Sequence, residues 1–185
     1  MFFVEKNMNP WGKMIGDCAI RAVSSAIAMK YPAVCRLVGK ECRPGRRLVG
    51  NEGIGLEAIK KRLGNFFDRI EDASETSWEN RPEEFRDMEF DPEIDSDPDL
   101  GLTLDQFCES YRDTGRYLVA LVHGSKPKDG TSRIRDGHVI YANLSPGKNY
   151  FFDTLDCGKM IVYAYMRVVA ILDVNSPQSL YYKKK

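Results

Sequence analysis

From Tyr117 onward the chain is written in β-branched and aromatic runs, and these constrain its fold more than anything that precedes them. Tyr117–Val122, His138–Leu144, Tyr150–Asp153 and Met160–Leu172 read as strands, because such side chains suit a pleated, packed surface. Turn signals at Lys128-Asp129-Gly130 and Ser145-Pro146-Gly147 separate them, and the short link after Leu144 calls for an antiparallel hairpin between the second and third runs. The chain before them has a different period. Ala19, Ala22, Val23, Ala26 and Ile27 recur at helical spacing behind Asp17, which can cap a helix by accepting backbone N–H bonds. Pro32 is expected to end this helix just past Tyr31 and to open a second short one. Leu56, Ile59 and Leu63, with Gly64 as the C-terminal cap residue, mark a third helix. Thr103 with Gln106 makes a capping box for a fourth, whose apolar face is Leu104, Phe107, Cys108 and Tyr111 and which Gly115 closes. Helices followed by strands give an α+β fold, and 185 residues make a single domain over 1–185 the expectation.

Composition excludes several function classes. No apolar run approaches the roughly 20 residues of a membrane span, so no membrane partner is expected. The opening MFFVEKNMNPWGK puts Glu5 and Lys6 where a signal peptide needs its apolar stretch, which argues against secretion. Five scattered cysteines, at 18, 35, 42, 108 and 157, fit reduced thiols better than a disulfide framework. They lack Cys-x-x-Cys spacing, and only His123 and His138 could complement them, so neither a metal nor another cofactor is expected. Lysines and arginines balance the acids at 27 each, which disfavours nucleic acid as a partner despite Arg43-Pro44-Gly45-Arg46-Arg47 and the closing Lys183-Lys184-Lys185. The acids are concentrated, however: residues 65–102 carry fourteen against three arginines, a composition that reads as a solvated loop or flap inserted into the domain. As a flap it would dock a basic surface.

The chemistry-bearing residues lie at both ends of this plan. A nucleophilic cysteine must be available as thiolate, and a helix N-terminus supplies free N–H groups and partial positive charge that favour the anion. Gly16-Asp17-Cys18 is such a place, with Gly16 turning the backbone into the helix and the Cys18 N–H able to face a developing oxyanion. Asp17 works against the thiolate, so a nearby imidazolium is required. His138 starts a strand after Gly137 and can project into a cleft; His123 ends a strand and reads as a rim or structural residue. The acid that orients the base should come from the next strand, where Asp153 is the choice and Asp156 the alternative.

At these positions the chain resembles the papain-like cysteine peptidase superfamily, especially the bacteriocin-processing transporter peptidases, which join Asp-Cys-Gly at a helix start to a later His and Asp. It is also similar to uncharacterised phage proteins through Asn9-Pro10, Gly16-Asp17-Cys18, Ile20-Arg21-Ala22, Gly137-His138 and Asp153-Thr154-x-Asp156. The resemblance covers both ends of the domain and leaves about 65–102 unmatched. It implies a nucleophile helix packed on an antiparallel sheet that bears base and acid. A polar side chain upstream completes the oxyanion hole in that superfamily. Asn9 is the candidate here, since Gly12 stands where the transporter peptidases carry Gln; the alternative for Asn9 is an Asn-Pro turn. The implied function is thiol-dependent hydrolysis or acyl transfer on a peptide or amide bond of a peptide or protein substrate. The phage likeness implies a host-cell cytoplasmic or virion-associated protein, with other virion or host proteins as partners. The competing expectation is a non-catalytic phage structural or host-interaction protein on the same scaffold.

Overall fold

The computed structural model describes residues 2–12, 16–40, 54–73, 102–110, 114–122, 137–154 and 156–182. The 128–130 turn, His123, Cys42, Tyr111, the Arg43 to Arg47 segment, the C-terminal lysines and the acidic stretch over 74–101 lie outside these residues.

The architecture is α+β. Strand β1 (Phe2–Glu5) precedes helices α1 (Cys18–Ala26), α2 (Tyr31–Leu37) and α3 (Leu56–Leu63). Strand β2 (Glu71–Asp72) and helix α4 (Leu104–Ser110) follow, then strands β3 (Gly115–Val122), β4 (His138–Leu144), β5 (Tyr150–Asp153) and β6 (Ile161–Arg167). The six strands form one sheet in the order β1-β5-β4-β3-β6-β2.

The centre of the sheet follows directly from the residue runs. β4 and β5 occupy the expected spans and pair as an antiparallel hairpin, Tyr141 opposite Phe152 and Asn143 opposite Tyr150. β3 pairs antiparallel with both β4 and β6, and its register to β6 shifts between Ala120 and Leu121. Alternate residues of these strands enter two cores. Leu118, Ala120, Val139, Tyr141 and Met166 pack with α1, α2 and α3, whereas Val119, Leu121, Ile140, Ala142 and Val162 pack with Leu104, Phe107 and Cys108 of α4. Helices on both faces account for runs that are apolar at nearly every position.

Elsewhere tertiary contacts override local signals. The sheet is not purely antiparallel, because β1 adds to its edge in parallel, Phe3 opposite Phe151 and Glu5 opposite Asp153. α1 ends five residues before the expected stop. Ala28 adopts a left-handed φ of 58°, and the Met29 N–H bonds the Ser24 carbonyl, which closes the helix in the manner usually left to glycine. The C-terminal segment accounts for this turn. Leu172 and Leu180 donate to the carbonyls of Ile27 and Ala28, and Met29 bridges Ser179. Pro32 therefore sits in the first turn of α2, where its missing N–H costs nothing. Gly64 is right-handed, with φ −56°, because α3 continues as a 3₁₀ turn over Gly64–Phe66 instead of stopping.

Three further expectations are corrected. The unpaired loop does not begin at residue 65: Phe67 is buried and bridges Val168, and β2 closes the sheet against β6. Gly115 opens β3 and does not close α4. The capping box of α4 is formed as read, with the Thr103 N–H donating to Gln106 Oε1 at 2.9 Å and the Gln106 N–H to Thr103 Oγ1 at 3.2 Å. Cys18, Cys108 and Cys157 are free thiols, whereas Cys35 is disulfide-bonded, so the reading of all five as reduced fails there. Among the described residues no helix is long and apolar enough to cross a membrane.

Candidate active site

Three elements converge at one end of the sheet. Cys18 is the first residue of α1, His138 the first of β4 and Asp153 the last of β5. The antiparallel β4–β5 hairpin is what brings the start of one strand beside the end of the other, fifteen residues later. Gly16, at a φ of 81°, makes the turn that delivers Cys18 to the same place.

His138 Nε2 meets Asp153 Oδ2, and the imidazole lies close enough to Cys18 to act on its thiol. Burial pushes the Cys18 thiol up. The hydrogen bond and charge of His138, the Val139 N–H and the Arg21 guanidinium together outweigh this and hold the thiol below its ordinary value. For His138 burial acts downward, but Asp153 and Cys18 raise the imidazole to about 9. Burial alone would raise Asp153 too, yet His138, the Thr154 N–H and Arg21 hold its carboxyl below the usual carboxylate range. All three shifts work in the direction of a thiolate beside an imidazolium, steadied by a carboxylate.

Asp156, the alternative acid, is exposed and accepts the Gly158 N–H at 3.1 Å; Asp153 holds the position beside His138. Asp17 is the residue before α1, but its carboxylate makes no capping bond to the helix backbone. It is buried and turned to other donors: Asn9 Nδ2 at 3.0 Å, the Tyr31 hydroxyl at 3.0 Å and Arg21 Nε at 2.9 Å. Burial, and then the charge of Asp17, push the Tyr31 hydroxyl far above its usual range, so it remains a donor. The expected antagonism between Asp17 and the thiolate is thus answered locally. Asn9 departs from the oxyanion assignment. Its Nδ2 is directed at Asp17 and its Oδ1 accepts the Trp11 N–H at 2.9 Å, the bonding of an Asn-Pro turn that also braces the helix start.

Arg21 was not singled out from the sequence as a site residue. Its Nε reaches Asp17 while its Nη1 donates to Asp153 Oδ1 and Thr154 Oγ1, both at 2.9 Å. The legible part was the Asp17–Arg21 spacing of four, which pairs opposite charges along one helix face.

A second thiol lies close by. The donor atoms of His138, Asp153 and Cys157 fall within 4.8 Å of one another, a set of types that suits zinc. Asp153, however, has one oxygen on His138 and the other on Arg21, and the guanidinium charge stands where a divalent cation would need its ligand. Fit to a metal is therefore poor.

Comparison with protein-family models, with characterised proteins and with solved structures found no match.

Proposed function

We propose that the chain is a thiol-dependent hydrolase or acyl transferase, acting on a peptide or amide bond from a papain-like arrangement of Cys18, His138 and Asp153. The observation that carries this reading is the position of His138, bonded to the Asp153 carboxylate and close enough to the Cys18 thiol to lower its pKa. A partly buried histidine serving only packing has no need of a thiol and a carboxylate as neighbours.

The chemistry runs in two halves. The Cys18 thiolate attacks the substrate carbonyl carbon, and the carbonyl π electrons move onto oxygen to give a tetrahedral oxyanion close to the N-terminus of α1. The oxyanion collapses as His138 gives its proton to the leaving amine, which departs and leaves a thioester on Cys18. Neutral His138 then takes a proton from water, whose oxygen attacks the thioester; collapse releases the carboxylic acid and restores the thiolate–imidazolium pair. An amine in place of water gives acyl transfer. Asp153 remains ionised throughout and fixes the imidazole tautomer.

The test is the pH profile of iodoacetamide labelling, read by peptide mass spectrometry, in wild type and His138→Ala. Rapid labelling of Cys18 below the ordinary thiol pKa of roughly 8.5, lost in the variant, is the expected result. The same preparations incubated with an activated ester should carry the acyl group on Cys18 in wild type alone. A Cys18 that labels as an ordinary thiol in both proteins sinks the catalytic reading and leaves the non-catalytic scaffold in its place.

A further inference from the structure

We propose that Arg21 is the positioning residue of this site, one guanidinium that orients the Asp153 carboxylate towards His138 and neutralises Asp17 beside the nucleophile. The inference rests on the thiol reading above and adds to it a residue outside the triad.

The geometry is that of a fork with both tines used. Arg21 Nε donates to Asp17 Oδ1 and Nη1 to Asp153 Oδ1, each at 2.9 Å, and Nη1 also reaches Thr154 Oγ1 at 2.9 Å. With Oδ1 of Asp153 held by Arg21, Oδ2 is the oxygen presented to His138 Nε2. A carboxylate free to rotate would offer His138 either oxygen in a range of orientations; one tied at Oδ1 offers one. Arg21 also lies three residues after Cys18 on α1, so both project from nearly the same helix face. The tie to β5 is therefore a tie on the nucleophile's own helix turn, across 132 residues of chain.

Charge points the same way. The Asp17 and Asp153 side chains are almost wholly buried, and Arg21 is 11% exposed. Without Arg21, two buried carboxylates would share a single imidazolium, and a thiolate would add a third negative charge. Removing one partner from such a buried set is costly because the remaining charges stay desolvated. Among the described residues, the titratable groups around Cys18 and Arg21 include Asp17 and Tyr31 on the helical side, His138 and Asp153 on the strands, Cys157 beyond them and Tyr163, which feels the charge of the thiol. Arg21 and His138 are the cations of this set.

Two variants separate charge from orientation, with folding followed by circular dichroism. Arg21→Lys keeps a positive charge but replaces the planar fork with a point donor. It should retain the acid limb of Cys18 labelling while acylation by an activated ester falls about tenfold or more. The double variant Asp17→Asn with Arg21→Gln is neutral at both positions and avoids an unpaired buried charge. It should move the acid limb up by about one pH unit, so that labelling near pH 6 drops about tenfold while the high-pH plateau is unchanged. If both variants keep the wild-type acid limb and acylation rate and lose only thermal stability, Arg21 is a structural tie and the proposal is overturned. Failure of both variants to fold while Cys18→Ala folds normally overturns it as well. A wild type without low-pH reactivity is a separate result: it removes the thiol reading itself, and Arg21's proposed role with it.

Discussion

Two thiols flank the same His138–Asp153 pair and differ in nearly everything that follows from their surroundings. Cys18 stands at the start of α1 and Cys157 in the core on the α4 side, and burial raises both. Around Cys157 the next influences are the negative charges of Asp153 and Asp156, which raise the thiol further. Around Cys18 they are the His138 imidazole, the Val139 N–H and Arg21, which reverse the effect of burial. Cys108, on the buried face of α4 and near Asp105, follows Cys157 and is pushed up to about 12. A common desolvation cost thus ends in shifts of opposite direction, and the sign of the neighbouring charges makes the difference. Proximity to a histidine is not what distinguishes the two thiols; the neighbouring charges and donors are.

The contrast is sharpest in labelling selectivity. In the folded protein near pH 6, Cys18 should react with iodoacetamide at least about a hundredfold faster than Cys157 or Cys108, in line with thiolate fractions that differ by two pH units or more. Cys157→Ser should leave Cys18 labelling within about twofold of wild type, whereas Cys18→Ser should abolish all rapid labelling. Comparable labelling of Cys157 in the native state would break the comparison.

A smaller effect concerns stability against pH. His138 is raised to about 9 in the fold, above its unfolded value of roughly 6.5, so its contribution is complete below that value and fades as pH rises through about 9. Cys18 is lowered, so its contribution is complete above the unfolded thiol value and fades as pH falls. Between roughly 6.5 and 9 the two slopes oppose one another, and the pair should make the wild type nearly insensitive to pH. Cys18→Ser removes one slope and leaves the part of the other that Asp153 supplies. Urea unfolding should therefore show the variant losing on the order of 1 kcal/mol relative to wild type as pH rises from about 6.5 to 9. The buried thiols titrate alike in both proteins and cancel in the difference. A constant difference across that range would mean that His138 and Cys18 are not charged together.

Much of this arrangement was legible because it is local. β4 and β5 were readable to the residue: each is dominated by β-branched and aromatic residues, and the turn between them carries its own Ser-Pro-Gly signal. Cys18, His138 and Asp153 could be named because a helix start, a strand start and a hairpin return are all sequence features. The misses are long-range. Ala28 ends α1 because the tail near Leu172 and Leu180 supplies donors that no neighbouring residue announces. β1 is four residues long and becomes a strand only because the β5 edge is open to it. Asp17, expected to cap the helix, instead takes its bonds from Asn9, Tyr31 and Arg21. Arg21 escaped notice because half of its role lies on a strand 132 residues away.

The smallest effect tests whether the α4 side, which supplies the floor beneath Cys157, is energetically separate from the nucleophile. Thr103 is buried and exchanges hydrogen bonds with Gln106 at the start of α4. The following residues join α4 to the Cys157 loop, with the Asp105 N–H on the Gly158 carbonyl at 3.0 Å and the Leu104 N–H on the Met160 carbonyl at 2.8 Å. Thr103→Ala deletes the cap and should cost about 1 kcal/mol of unfolding free energy. Gln106→Ala should cost less, and the double variant less than the sum, because both side chains belong to one capping box. Cys18 labelling should not change in any of the three, since its pKa is set by His138, Val139 and Arg21, none of which touches α4 through a side-chain hydrogen bond among those described. Slower Cys18 labelling in Thr103→Ala, with the protein still folded, would show that the core beneath Cys157 helps to hold the His138–Asp153 pair, and that the two thiols share a support although their surroundings shift them in opposite directions.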